Sequence, residues 1–387
     1  MITYISADTI YPVSKPPIKN GVIGVNNDGS IHSVLTKEQA QDIYNICHYE
    51  GILVPGFINT HCHLELSHLL AKIKEKTGLT GFIKSILSSR QQPDELVIAA
   101  MEKADLEMFA NGIVAVGDIS NLLISKEVKL GSKIYYHTFV EVFGFNRPSQ
   151  PIIDEAVQLK HNFLPLKSSI VPHAPYSVSA QLFKEIAGIT TEDDILSIHN
   201  QETVGENELF ETGTGRFAEF FNDLGIAQSE AHNSAKNSLN YHLPKLPKNV
   251  NTLMVHNTFS NKADIAFAKK THEKLFWCLC PNANLYIEDN LPNVALFNDE
   301  AVKITLGTDS LASNHQLSIL SEMQTLQAVK AIPFETLLSW GTLNGAEFLG
   351  IDSQYGSLSI GKKPGIILIE QIDGEKITNK TIIKRLF

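Results

Sequence analysis

The stretch Pro55-Gly56-Phe57-Ile58-Asn59-Thr60-His61-Cys62-His63 joins a short apolar run to a His-x-His pair. An apolar run of that length opened by Pro-Gly reads as a buried strand. Residues two apart on extended backbone point to the same side. The imidazoles of His61 and His63 are therefore presented together, and two such nitrogens suit one borderline metal ion such as zinc. Two ordinary histidines would show the same spacing, so the surrounding chain has to decide between the two readings.

From about Pro55 to Gly350 the sequence repeats a short apolar run, a loop and a longer amphipathic stretch. That is the pattern of βα units feeding a parallel sheet. Eight runs are expected as strands, over 56–59, 113–116, 134–140, 169–171, 195–198, 252–255, 275–279 and 302–306. Helices are expected over 94–110, stopped by Gly112, and over 152–161, 180–186, 262–271 and 318–331. Eight units predict a (β/α)8 barrel, whose chemistry gathers at the carboxyl ends of the strands. Directly after the runs come His61 and His63, Asp118, Glu141, His173, His199, His256, Cys280 and Asp309. No glycine-rich phosphate turn follows the first run, which disfavours a doubly wound nucleotide-binding sheet.

Both ends of the chain read differently. Short apolar runs separated by turn signals such as Asn27-Asp28-Gly29 and Pro364-Gly365 predict small antiparallel strands. The fold class expected is α/β, a (β/α)8 TIM-like barrel over 55–350 with a small β-sandwich domain built from 1–54 and 351–387.

The 387 residues are 43% hydrophobic and 19% charged, which suits an ordinary folded protein with a sizeable core. A net charge of −10 without any basic block argues against nucleic acid and anionic membranes as partners. No apolar run reaches the roughly eighteen residues of a membrane span, and Met1 to Pro12 does not resemble a signal peptide. Four cysteines, Cys47, Cys62, Cys278 and Cys280, are too few for a disulfide framework. A cytoplasmic location is the expectation, and the chain is compatible with a homodimer.

Two further strand ends carry the chemistry. Ser197-Ile198-His199-Asn200-Gln201-Glu202 supplies a histidine and, three residues on, a carboxylate placed to shuttle protons without binding metal. A capped helix start would look the same. Leu306-Gly307-Thr308-Asp309-Ser310 ends in a carboxylate that could complete a coordination shell, or cap a turn.

With Pro172-His173-Ala174-Pro175-Tyr176-Ser177, Val255-His256-Asn257, Cys280-Pro281-Asn282-Ala283-Asn284-Leu285 and the tail Asn344-Gly345-Ala346-Glu347-Phe348-Leu349-Gly350, these motifs stand in one order along nearly the whole chain. In that order they resemble the amidohydrolase superfamily, and within it the deaminase and chlorohydrolase branch. Two departures show. Lys363-Pro364-Gly365 replaces the usual Ala-Asp after the tail Gly-Lys, and Cys278-Leu279-Cys280, read as structural, lacks the Cys-x-x-Cys spacing of cytidine-type zinc deaminases.

The resemblance implies one divalent metal, zinc with iron(II) as the alternative, held by His61, His63, His199 and Asp309. Binuclear members carry a carboxylated lysine after strand four, where this chain has Val171-Pro172-His173. It also implies that Asp309 and His256 orient and deprotonate water, that Glu202 protonates a ring nitrogen, and that His173 contacts substrate. The loop His63-Leu64-Glu65-Leu66-Ser67 with Gly81-Phe82-Ile83 resembles enzymes that deaminate aminodeoxyfutalosine in menaquinone biosynthesis. Adenosine and S-adenosylhomocysteine deaminases share most of the motifs. Glu65 is a candidate for a ribose hydroxyl or ring amine, and Arg147, with Arg216 behind it, for a substrate carboxylate. The expected partner is an aminated heterocycle or nucleoside. A chlorohydrolase or cyclic C–N hydrolase on the same barrel is one rival, and a catalytically silent barrel used as a binding module is the other. Whether Asn282 and Asn284 touch substrate is left open.

Overall fold

The computed structural model describes residues 1–226 and 235–387. Five strands open the chain: β1 (Ile2–Ile10), β2 (Ile18–Lys19), β3 (Val22–Asn26), β4 (Ile31–Leu35) and β5 (Ile46–Pro55). Eight follow that carry the site: β6 (Phe57–Cys62), β7 (Ile113–Ser120), β8 (Tyr135–Val142), β9 (Lys167–Pro172), β10 (Leu196–Asn200), β11 (Thr252–His256), β12 (Leu275–Leu279) and β13 (Lys303–Leu306). The last two are β14 (Ile366–Glu370) and β15 (Ile382–Arg385).

The terminal strands share one sheet in the order β15-β14-β5-β1-β3-β4, with β2 paired to β1. The C-terminal β14 lies antiparallel on β5, so the two ends of the chain are joined by backbone hydrogen bonds. One face of this sheet has its own core, including Ile5, Ile10, Ile23, Leu53 and Leu368, separate from the main one.

The eight central strands form two parallel four-stranded sheets, β6-β7-β8-β9 and β10-β11-β12-β13. At the β9/β10 seam the His199 N–H donates to the His173 carbonyl at 3.0 Å, and at the β13/β6 seam the N–H groups of Thr308 and Asp309 donate to the His61 carbonyl, each at 3.1 Å. Side chains reinforce the second seam: Thr60 Oγ1 donates to the Leu306 carbonyl at 3.0 Å and Asn59 Nδ2 to Thr308 Oγ1 at 2.7 Å. This is the (β/α)8 arrangement expected, with helices such as Asp94–Ala110, Ala180–Ile189 and Lys262–Thr271 between the strands.

Six strands run further than their apolar runs, β9 and β11 by one residue each at the carboxyl end. β6 continues through Thr60 and His61, and β7 through Asp118 and Ser120; β8 and β10 also extend by two residues beyond the sequence reading. Polar residues ended the reading, but inside the barrel they find partners: Thr60 Oγ1 lies 2.8 Å from Thr305 Oγ1, and Asp118 is paired to Lys129 at 2.7 Å with both side chains fully buried. Among the described residues no helix is long and apolar enough to cross a membrane.

Candidate active site

His61 sits near the end of β6, and His63 one residue beyond it; Asp309 follows β13. Their approach depends on Gly307, where a Cβ would stand 2.8 Å from both His61 Cβ and Cys278 Sγ. His61 Nε2 and His63 Nε2 are 3.2 Å apart, and Asp309 Oδ1 lies 3.5 Å from the first and 3.3 Å from the second. Four bonds of about 2.0–2.1 Å at tetrahedral angles place neighbouring ligand atoms about 3.3 Å apart. The three atoms are therefore spaced as three corners around one small cation.

His199, at the end of β10, brings its ring to 4.9 Å from the His61 ring, centroid to centroid. Its Nδ1 is 2.8 Å from the His173 carbonyl oxygen, so Nδ1 carries the proton and Nε2 keeps a free lone pair. Burial pushes the His61 and His199 imidazoliums down, His199 well below the usual range. Neutral imidazole is the form that ligates. Burial works to raise the Asp309 carboxyl, but the His61 hydrogen bond and the neighbouring histidines outweigh it and hold the group well below the ordinary carboxylate range. Three imidazoles and one carboxylate make a donor set that fits a divalent metal.

His256, the last residue of β11, has its Nε2 3.7 Å from Glu202 Oε2. Its other ring nitrogen is 3.3 Å from the Asn284 amide, which in turn meets Thr258 Oγ1 at 2.7 Å. Burial holds His256 at about 3, a neutral base at physiological pH. Burial, reinforced by Asp309, Glu206 and Glu288, pushes Glu202 well above the usual carboxyl range. Glu206, itself buried, accepts the N–H groups of Gln201 and Glu202 at 2.9 and 3.1 Å and so fixes the turn that presents Glu202. Gln201, His256 and Asp309 all adopt left-handed backbone, with φ of 46°, 73° and 56°. Such conformations are costly for non-glycine residues and concentrate at functional sites.

Beside these groups opens a cavity of about 290 Å³ whose walls include His63, Glu65, His173, Glu202, His256 and Asp309. Much of its wall is apolar, with Phe82, Ile86, Phe220 and Phe221 among the lining residues. His173 faces the cavity while its Nδ1 lies 2.7 Å from Ser177 Oγ and its ring stands edge-on to Tyr176. Glu65 also lines it; burial pushes its carboxyl up to about 7, and both its oxygens accept backbone N–H groups, from Asn121 and Leu122 at 3.2 Å.

Arg147 does not join them. It is exposed on the loop leading into the helix Ser149–Asn162 and lies outside the cavity, as does Arg216, whose guanidinium sits against Gly78. The arginine in the cavity wall is Arg90, at the end of the helix Gly78–Ser89. Asn282 also points elsewhere, donating to Glu322 and Ser321, whereas Asn284 acts on His256. Cys278 and Cys280 are buried with their sulfurs 3.8 Å apart and contribute to no group of metal-capable atoms among the described residues.

The amidohydrolase family model matches residues 52–385. The chain belongs to the amidohydrolase family. This amidohydrolase is 29% identical over 397 residues to the 5-methylthioadenosine/S-adenosylhomocysteine deaminase of Bacillus cereus (strain AH187), an alignment covering 95% of this chain and 85% of the relative. Its fold is similar to that of Helicobacter pylori aminofutalosine deaminase in complex with methylthio-coformycin, with a TM-score of 0.81, 21% identity and coverage of 97% and 93% of the two chains. It is also similar to an adenosine deaminase from Xanthomonas campestris with bound zinc, with a TM-score of 0.73, 20% identity and coverage of 95% and 84%.

Three residues of this amidohydrolase went unnoticed in the sequence. Ser313 donates to Asp309 Oδ2 at 2.5 Å, Glu206 holds the Glu202 turn, and Asn121 bridges Glu65 to Glu141. None lies in a motif; Glu141 alone carried a signal, its place after a strand.

Proposed function

We propose that this amidohydrolase is a metal-dependent deaminase that replaces the exocyclic amine of an adenine-like nucleoside by water and releases ammonia. The observation that carries the reading is the pairing of Glu202, favoured in its protonated form by burial, with the neutral His256 3.7 Å away, both on the wall of a cavity that also exposes Asp309.

His61, His63, His199 and Asp309 would hold the metal. Bound there, it supplies Lewis acidity that brings the ionisation of water toward neutral pH. Zinc suits three imidazoles and a carboxylate, with iron(II) the alternative. Glu202 gives its proton to a ring nitrogen, which makes the amine-bearing carbon electrophilic. His256 and Asp309 take the proton from the attacking water, whose oxygen forms the new bond to carbon. The C–N bond then breaks and the amine departs as ammonia with a proton returned from the same groups. The apolar residues of the cavity wall take the remainder of the substrate.

Within adenine-like nucleosides the favoured substrate is of the aminodeoxyfutalosine type, supported by the His63-Leu64-Glu65-Leu66-Ser67 loop; that substrate would set the enzyme in menaquinone biosynthesis and in the cytoplasm. The test is ammonia release by the zinc-loaded protein from aminodeoxyfutalosine, adenosine, S-adenosylhomocysteine, guanine, cytosine and a chlorotriazine. Turnover of an adenine nucleoside is expected. Chloride release from the triazine with no ammonia from any nucleoside would replace the deaminase by a chlorohydrolase.

A further inference from the structure

Glu141, near the end of β8, is buried and lines the cavity. Its Oε2 accepts from Asn121 Nδ2 at 3.2 Å, and the same amide also reaches the Glu141 backbone carbonyl at 3.2 Å, so one amide ties the carboxylate to its own main chain. The other oxygen, Oε1, has no hydrogen-bond partner among the described residues. A buried carboxylate oxygen without a donor is costly and is kept where something else supplies the donor. His199 Nδ1 does not: it lies 3.7 Å away and its proton goes to the His173 carbonyl.

The ligand-capable atoms of Glu141, His173 and His199 crowd within 4.8 Å of one another, which invites a second metal. The nitrogen that His199 turns toward Glu141 is the protonated Nδ1, so that cluster lacks a lone pair where a cation would need one. A hydrogen-bond donor on a ligand in the cavity satisfies Oε1 instead.

Asn121 ties Glu141 to Glu65, because its backbone N–H donates to Glu65 Oε2 while its side chain holds Glu141. Both carboxylates thus stand on one wall, formed by the loops after β6 and β7 and the end of β8, in the first half of the barrel. Glu202 and His256, which act on the base, come from β10 and β11 in the second half. The part of a nucleoside that falls toward the acidic wall is then the sugar, whose adjacent hydroxyls offer two O–H donors.

Resting on the nucleoside reading above, we propose that Glu141, with Glu65 beside it, is the specificity-determining acceptor for the substrate's ribose hydroxyls. An anionic group at that position would meet two carboxyl groups and be rejected.

The test compares adenosine with 2′-deoxyadenosine and 3′-deoxyadenosine on the zinc-loaded protein. At least one deoxy form is expected to lose about 10- to 100-fold in kcat/KM, the scale of a hydrogen bond to a charged group. Glu141→Gln is expected to lower kcat/KM for adenosine by a similar factor, to bring all three nucleosides within about threefold of one another, and to keep one metal per chain. Equal use of all three by the unaltered enzyme overturns the proposal. So does a Glu141→Gln protein that keeps the original ratio, or one that loses its metal, which would make Glu141 a support for His199. Dissociation constants for the same nucleosides on Glu202→Gln protein separate the two ideas. A hydroxyl preference in binding supports the sugar wall even if no nucleoside is deaminated, and equal binding sinks it whatever the reaction.

Discussion

Ser313 donates its hydroxyl to Asp309 Oδ2 at 2.5 Å, while Asp309 Oδ1 faces His61 and His63. One carboxylate oxygen is thereby committed to the protein, and the other would be left for the proposed metal. Such supporting contacts orient a ligand and typically contribute 10- to 100-fold in metal affinity. Ser313→Ala is expected to fold normally and to bind zinc about 10- to 100-fold more weakly in chelator competition. Unchanged affinity would mean that Asp309 needs no such support.

Gly307 permits the approach of Asp309 to His61. An alanine methyl there would stand 2.8 Å from His61 Cβ and from Cys278 Sγ, and 3.0 Å from the His61 carbonyl oxygen, all in packed surroundings. Gly307→Ala is expected to destabilise the protein by about 1–3 kcal/mol in denaturant unfolding, as overpacking does. It should also lower the zinc content of the purified protein.

Lys129 and Asp118 form an ion pair at 2.7 Å with neither side chain exposed, and Asp118 Oδ1 accepts the N–H of Leu64 at 2.8 Å, directly after His63. Removing one partner leaves an uncompensated buried charge, which costs about 3–5 kcal/mol. Lys129→Met should show that loss in urea unfolding. The double variant Lys129→Met with Asp118→Asn should recover part of it, and no recovery would argue against charge as the cause.

Glu202→Gln keeps the shape of the side chain and removes its exchangeable acid. Metal content is expected to stay the same and kcat to fall by about 10²–10⁴, the usual contribution of a positioned acid–base group. A variant as active as the parent would dismiss Glu202 as the proton carrier.

Glu322 is fully buried and accepts from the Asn282 backbone and side chain and from Asn314, yet burial pushes its carboxyl to about 8 from 4.5. A folded value above the unfolded one means that the unfolded state binds fewer protons between them. This contribution to stability is present in full below about pH 4.5 and is lost as the pH rises through about 8. Glu322→Gln should therefore flatten the decline in Tm between pH 5.5 and 8.5. Parallel pH profiles for the two proteins would assign the decline elsewhere.

The eight strands could be read because each is an apolar run followed at once by a polar group, a phase that survives without knowledge of tertiary contacts. His61, His63, His199 and Asp309 could be named for the same reason, and the structure sets them side by side. What escaped depends on three-dimensional neighbours. Arg147 follows a strand as the others do, but its loop turns outward, whereas Arg90 reaches the cavity from the end of a helix. The polar ends of β6 and β7 looked like loop because the groups that satisfy Thr60 and Asp118, Thr305 and Lys129, are remote in sequence or lie on a helix. Ser313 and Glu206 act four residues from the side chains they serve, a separation shared with every helical surface pair.

The two halves of the barrel meet through the carbonyls of His173 and His61, which accept from His199, Thr308 and Asp309. Three of those five residues, His61, His199 and Asp309, are also among those proposed to hold the metal. Whatever gathers the side chains at the centre also clamps the sheets at their rims, so the cation would serve as a keystone for the closed cylinder as well as a reagent. Amide protons of His199, Thr308 and Asp309 should then exchange with solvent far more slowly in the loaded protein than after chelation, a fingerprint of closure readable without any substrate.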